Sequence, residues 1–407
     1  MDEHAFPAAE RIINDIGLIF KKDPKLKEFQ ILPVSLNENR SPVHHVNNCL
    51  GLESWCVPHV YCYAYNLLMD IRQQKRRRED TEYTNHLLMG ALLLNPEVSV
   101  MWNMRREMSG LEPQSELHFT SVVLTRKPKS AEVFDYRKWL IKKLMKVYPC
   151  DPALVASEVH ACQLAAELYP NNYYAWNHRI WCLNLLPYDS GSYVSFLVSE
   201  WMLTHKWVSS HISDHSGFQY RQHLLQKFVN LPPDGYNTVG KCTTDIEQSA
   251  TCSLQMFLTS TENKKSNFLT EMTRTILTES SGSKCENMQS IPLGLILSEL
   301  LLNTDLIVVY PGHEAIWYHR RFLIHLLREC ISNLRLEAEH KDRNGVSPEK
   351  TKRVESIGEG LLERVVRFET ALYSKCRTDK DRQASYAEKH RAWLASIMKI
   401  NLHLPLR

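Results

Sequence analysis

Lys129 stands in a turn, Lys127-Pro128-Lys129-Ser130, just ahead of a stretch with helical apolar spacing that carries Phe134 and Arg137. The free amides and dipole of a helix N-terminus favour an anion, and a cation held there adds to the preference. Arg126, Lys127, Arg137, Lys138, Lys142, Lys143 and Lys146 make the turn and the following helix locally basic. Two readings stay open, an anion-binding site and a solvated charged face. Cys56 and Cys62 could ligate a metal, but neither sits in a two-residue knuckle with a second pair downstream, so no zinc site is expected. The run Lys75-Arg76-Arg77-Arg78 reads as cations complementing a helix C-terminus, with a nuclear signal or an acidic-partner patch as the alternatives.

These residues need elements to hold them, and the elements recur. In Tyr169-Pro170-Asn171-Asn172-Tyr173-Tyr174-Ala175-Trp176-Asn177-His178-Arg179, Pro170 has no amide hydrogen and pushes Tyr169 out of the α region, which stops the incoming helix. Asn171 or Asn172 can cap the next helix, on which Trp176 and Arg179 share a face. An aromatic three residues before an arginine returns as Trp102/Arg105, Phe134/Arg137, Phe218/Arg221 and Trp317/Arg320. Phe134 follows Trp102 by 32 residues, Trp176 follows Phe134 by 42, and Phe218 follows Trp176 by 42. Those intervals fit two antiparallel helices with their turns, the range in which helical solenoids repeat. Each ring is expected to fill the gap between neighbouring hairpins. Its arginine would stack on an aromatic or donate to carbonyls at neighbouring helix ends, a structural role that needs no ligand.

The predicted fold is all-α, a right-handed solenoid of antiparallel helical hairpins, and no stretch alternates with period two long enough to suggest a sheet. Residues 1–83 read as N-terminal helices and a connector. Within them Phe6 to Lys22 is helical, Asn37 to Asn48 is turn-like, and Glu53 to Arg78 is a helix with Trp55, Tyr61 and Tyr65 on it. The repeats occupy 84–400. Two polar insertions interrupt them, one at 231–290 that is expected to be disordered and a shorter one at 339–350. The last copy, Tyr386 to Arg391, keeps the arginine but has Glu388 where the ring should be, as a capping repeat would.

Composition narrows the function classes. A formal charge of +3 over 407 residues argues against an extended nucleic-acid footprint. No run of about eighteen apolar residues offers a membrane span. With no secretion signal in Met1 to Glu10, the 11 scattered cysteines read as reduced thiols, and a cytoplasmic protein is expected.

Asn172-Tyr173-Tyr174-Ala175-Trp176-Asn177-His178-Arg179 and Trp317-Tyr318-His319-Arg320-Arg321 resemble the repeat of protein prenyltransferase α subunits. Counting the weaker copies, the resemblance spans Thr84 to about Ile400, broken by the two insertions. It implies a crescent-shaped α–α superhelix that embraces a barrel-shaped β subunit. That β subunit holds the catalytic zinc and most of the isoprenoid pocket, so no cofactor is expected on this chain. The resemblance also puts the family's diphosphate-facing lysine at Lys129 and its tyrosine at Tyr173. The family's histidine position is Tyr174 here, which can still donate to a phosphate oxygen but carries no charge. Where enzymes that read a C-terminal cysteine motif have a glutamine, two residues before the second repeat's ring, this chain has Glu132, and Ala131 replaces a common tyrosine. An ionised Glu132 would repel a substrate carboxylate. A Rab-type β subunit is therefore expected in preference to a CaaX-type one, with geranylgeranyl diphosphate as donor and a protein substrate with a C-terminal cysteine. The alternative is a non-enzymatic scaffold that kept the fold.

Overall fold

The computed structural model describes residues 8–34, 36, 41–73, 81–147, 151–187, 191–231, 290–343, 362–363, 365–378 and 382–402. The run Lys75 to Arg78, nearly all of the 231–290 insertion and residues 344–350 of the shorter one lie outside them. Residues 339–343 belong to a helix. The chain divides into two units, Met1–Leu186 and Pro187–Arg407.

The first unit opens with α1 (Ala8–Lys22), whose buried stripe is Ile12, Ile13 and Ile16. Gly17 extends that stripe because the His86 ring lies against it. An added Cβ would come within 2.2 Å of the imidazole. Next comes a three-stranded sheet of β1 (Glu28–Leu32), β2 (Val43–Val46) and β3 (Cys49–Glu53), in the order β1-β3-β2. This corrects the expectation of an irregular connector without strands. The strands are too short to display a period of two, and β3 is buried along most of its length, so polar alternation is missing. One sign was legible in the sequence. Asn47 and Asn48 take φ values of 53° and 61°, the left-handed pair that a two-residue hairpin requires between antiparallel β2 and β3. Parallel pairing of β1 with β3 sets Phe29 beside Leu50, both buried, and the Phe29 amide donates to Thr125 Oγ1 at 3.1 Å.

After a single 3₁₀ turn come α2 (Val57–Gln73) and α3 (Thr81–Leu94). Leu87 to Leu94 is buried on every side because α1 and α2 both pack on α3. The repeat helices of this unit are α4 (Ser99–Glu107), α5 (Pro113–Arg126), α6 (Ala131–Met145), α7 (Pro152–Leu168) and α8 (Tyr173–Leu183). Their starts are set locally. Glu112, Ser130, Asp151 and Asn172 each accept a bond from a free amide of the helix that follows, and Pro113 and Pro152 occupy first-turn positions where no amide hydrogen is needed. Within the unit α5 pairs with α6 and α7 with α8, and the pairs stack α5 on α7 and α6 on α8.

The second unit repeats the device with α9 (Gly191–Ser210), α10 (His215–Val229), α11 (Ser290–Val309), α12 (Glu314–Arg343), α13 (365–376) and α14 (Arg382–Ser396). Phe218, Trp317, Leu306, Ile316, Leu372 and Ala387 form its core. The fold is the all-α hairpin repeat that the spacing predicts, with a small sheet added near the N-terminus. Trp102, Phe134, Trp176, Phe218 and Trp317 are all buried, as expected of rings that fill inter-helix gaps.

Candidate functional site

The repeated arginines are also buried, and what they meet was not anticipated. Arg137 donates from Nε and Nη2 to the two carboxylate oxygens of Glu158 at 3.0 and 2.5 Å, and His178 meets the same carboxylate through Nε2 at 3.0 Å. An ionised carboxylate can only accept, so Nε2 carries the imidazole proton. Arg105 grips Glu116 in the same way, with Tyr136 as the third member at 2.7 Å. In the second unit Arg221, Glu299 and His319 form one such triad, and Arg320, Glu369 and His390 form another. Each glutamate of the hairpin's first helix is thus held between the arginine of the preceding hairpin and a histidine or tyrosine of its own second helix. In Arg137, Arg221 and Arg320 the remaining nitrogen, Nη1, binds back to its own hairpin. Nη1 of Arg137 donates to the Leu117 carbonyl and Thr120 Oγ1, and Nη1 of Arg221 to the Trp201 carbonyl and Thr204 Oγ1. Stacking occurs too, with the Arg179 guanidinium 5.4 Å from the Trp176 ring and that of Arg221 3.6 Å from Trp201.

Electrostatics follow from the geometry. Burial pushes the Glu158 carboxyl up, but the Arg137 charge and the His178 hydrogen bond outweigh it and hold it at about 2. Glu299 and Glu369 are lowered by the same balance. Burial lowers His178, His319 and His390 despite their glutamate partners, which keeps these imidazoles neutral at neutral pH. The triads are therefore structural ties and not proton donors to a ligand.

Several members of the basic cluster around Lys129 are engaged elsewhere once folded. Arg137 is in its triad. Arg126 donates to the Leu93 and Leu94 carbonyls at the end of α3, and burial lowers its pKa. Lys127 faces Glu97 at 4.0 Å, Lys138 faces Asp135 at 3.9 Å, and the Lys143 ammonium lies 5.4 Å from the Trp139 ring. Lys129 is exposed and makes no ion pair among the described residues. Its Nζ lies 4.8 Å from the centre of the Tyr169 ring. The turn that carries it is tied to the next one by Asn172, whose fully buried side chain donates to the Pro128 carbonyl at 2.6 Å and the Ala165 carbonyl at 3.1 Å. The Oδ1 of Asn172 caps α8 by accepting from the Ala175 amide at 3.2 Å. Asn171, at φ 54°, turns the chain sharply enough to allow this. Tyr173 and Tyr174 then open α8 with their rings 5.6 Å apart, edge to face, and exposed by 52% and 37%. Glu132 is half-buried in the first turn of α6.

One exposed ammonium, three tyrosine rings and two helix N-termini are thus held on adjacent turns, a setting for an anionic ligand with an apolar portion. Among the described residues no group of three or more His, Cys, Asp or Glu side chains could hold a metal, and no helix is long and apolar enough to cross a membrane.

A family profile described as protein prenyltransferase alpha subunit repeat matches residues 113–144, 155–186 and 296–327. Each matched segment begins three residues before a triad glutamate, Glu116, Glu158 or Glu299. The chain is 32% identical to human protein prenyltransferase alpha subunit repeat-containing protein 1, over 95% of this chain and 96% of that protein. It is 32% identical to the protein of the same name from Danio rerio, over 80% of this chain and 74% of that one. It is also similar to geranylgeranyl transferase type-2 subunit alpha from Sus scrofa, at 25% identity across 40% of this chain and 29% of that protein.

Proposed function

Because the chain belongs to the family of protein prenyltransferase alpha subunit repeat-containing proteins, we propose that it is the α subunit of a heterodimeric protein prenyltransferase. The observation that carries this reading is Lys129, an exposed ammonium without an ion-pair partner among the described residues, on a turn fixed beside Tyr169 and Tyr173. Cleaving an allylic carbon–oxygen bond leaves diphosphate with growing negative charge. A preorganised ammonium stabilises that charge more in the transition state than in the ground state. Tyr173 would donate to a phosphate oxygen, with Tyr174 as a second and weaker donor. The partner β subunit would supply zinc and the isoprenoid pocket. The thiolate of a substrate protein's C-terminal cysteine would be the nucleophile.

The partner is proposed to be a β subunit of the Rab type, with geranylgeranyl as the transferred group and the cytoplasm as the place of action. Glu132 supports this because it offers a like charge, not a donor, to a free C-terminal carboxylate. The partial likeness to a geranylgeranyl transferase subunit supports the choice of lipid. A scaffold without catalysis is the second reading, and Tyr174 at a histidine position favours it.

The experiment is co-expression with each class of β subunit, followed by transfer assays with farnesyl and geranylgeranyl diphosphate. In the active pair, Lys129→Ala is expected to slow single-turnover transfer by about 2.7–4 kcal/mol of barrier, roughly 10²–10³-fold, while protein-substrate binding stays near wild type. An unchanged rate removes Lys129 from the mechanism. Pairing only with a CaaX-type subunit overturns the Rab assignment, and a stable pair without transfer supports the scaffold.

A further inference from the structure

A lysine ammonium on a four-carbon stem is a poor preorganised charge, because the stem has many rotamers to lose on fixing it. Lys129 has no carboxylate to fix it among the described residues, but it has a ring. Tyr169 closes α7 in an extended conformation, φ −141° and ψ 114°, ahead of Pro170. Tyr169 remains 44% exposed, so the hydrophobic core does not require it. The Lys129 Nζ sits 4.8 Å from that ring's centre, within the range where the negative face of the π system attracts a cation. Both backbones are pinned, since Asn172 bonds the Pro128 carbonyl on one turn and the Ala165 carbonyl one helical turn before Tyr169. The second unit supplies an internal comparison. Tyr310 precedes Pro311 at the corresponding turn and is similarly exposed, but the turn His211-Ile212-Ser213-Asp214 that neighbours it brings no lysine. The tyrosine before proline is therefore common to both turns, whereas the cation on it belongs to the Lys129 site.

We infer that Tyr169 is a positioning residue for Lys129. Its ring holds one side of the ammonium and leaves the other donors free for phosphate oxygens. The inference rests on the proposed role of Lys129 as the cation that meets the diphosphate. Tyr169 does not itself touch the reacting atoms.

Two measurements test it. The first needs no transfer activity. In the full chain with lysines ¹³C-dimethylated, a modification that keeps the charge, the Lys129 signal is assigned by its loss in Lys129→Arg. Ring current should displace that signal, Tyr169→Leu should return it toward the value of a free lysine, and Tyr310→Leu should leave it unmoved. Titration with inorganic pyrophosphate should shift the same signal, with a Kd weakened about two- to fivefold in Tyr169→Leu, the size of one exposed cation–π contact. The second is a mutant cycle in the assembled enzyme. Tyr169→Leu should lower the single-turnover rate about two- to fivefold without raising KM for the protein substrate, and Tyr169→Phe should restore it. On a Lys129→Ala background Tyr169→Leu should cost nothing further. A Lys129 signal indifferent to Tyr169→Leu, or to pyrophosphate, overturns the inference, as does an equal loss of rate on both backgrounds. If Lys129→Ala leaves transfer unchanged, the catalytic reading of the site falls, while the resonance and the pyrophosphate titration still decide whether Tyr169 positions Lys129 toward an anion.

Discussion

Replacing Glu158 with alanine should be among the most damaging single changes to the first unit. Glu158 is 1% exposed and receives two hydrogen bonds from Arg137 and one from His178. Truncation would strand Nε and Nη2 of a guanidinium that is itself 2% exposed. Arg137 could not easily swing out to water, because its Nη1 is still bound to the Leu117 carbonyl, Thr120 and Ser121. Removing one partner of a buried pair costs about 3–5 kcal/mol, because the other charge is left uncompensated. For a unit spanning Met1–Leu186, each kcal/mol lowers Tm by about 2–4 °C, so a loss near 4 kcal/mol predicts a drop of about 8–16 °C. Thermal unfolding followed by circular dichroism at neutral pH measures it. The triple replacement Arg137→Met, Glu158→Leu, His178→Phe removes every charge together and should recover much of the loss, as apolar substitutes for buried ion pairs often do. A Glu158→Ala protein that melts within about 2 °C of wild type would refute the view that these triads tie hairpin to hairpin.

Two further outcomes concern pH. Burial lowers the His319 pKa, so between pH 6.5 and its lowered folded value the unfolded chain binds a proton that the native imidazole refuses. Stability is full above 6.5 and falls as pH falls, by up to about 1.4 kcal/mol per pH unit. His319→Phe should flatten that slope in urea titrations between pH 6.5 and 5, whatever it does to absolute stability, and an unaltered slope would show that the native imidazole takes up its proton as the unfolded one does. Asp305 has the opposite sign. Burial pushes its carboxyl up to about 7, so its contribution is favourable below the unfolded value near 3.8 and is lost as pH rises through 7. Asp305→Asn should stabilise the protein at pH 8 by on the order of 1–2 kcal/mol and do much less at pH 4.5, as differential scanning calorimetry at the two pH values would reveal.

The rings and arginines were legible in the sequence because their spacing of three sits, in every copy but that of Phe218, behind a turn marked by proline or asparagine, and few chance patterns share both. Their glutamate partners were not. A glutamate inside a helix is the commonest of solvated residues, and Glu116, Glu158 and Glu299 are distinguished only by distance to a residue in the next helix. Tyr136, His178 and His319 follow them by 20 residues each, and His390 follows Glu369 by 21. That constant appears only when hairpins are aligned on one another, since the interval from arginine to glutamate crosses loops and insertions and varies from 11 to 78. The basic cluster was over-read for a related reason. Sequence proximity counts charges without saying which are spent on carbonyls, as Arg126 is, or on a buried carboxylate, as Arg137 is.

The outermost copies show what the inner triads depend on. In Arg137, Arg221 and Arg320, Nη1 finds a threonine 17, 17 and 16 residues earlier on the first helix of the same hairpin. The corresponding positions before Arg105 are Leu88 and Met89, both apolar, and Nη1 of Arg105 is the one guanidinium nitrogen of this set left buried without a partner among the described residues. The Phe119 ring, 4.5 Å from the guanidinium, compensates in part by holding the cation from its face. At the other extreme His390 still reaches inward to Glu369, but Arg391 turns to Glu388 on its own helix and lies at the surface. Glu388 stands at the ring position, so the residue that would fill an inter-hairpin gap is replaced by one that neutralises an exposed arginine. α3 lacks the threonine, as α7 does with Cys162 and Gln163 at the same positions before Arg179, and among the described residues Arg391 meets no glutamate beyond its own helix. Arg105 thus stays buried with an unsatisfied donor among the described residues, whereas Arg391 moves out to water.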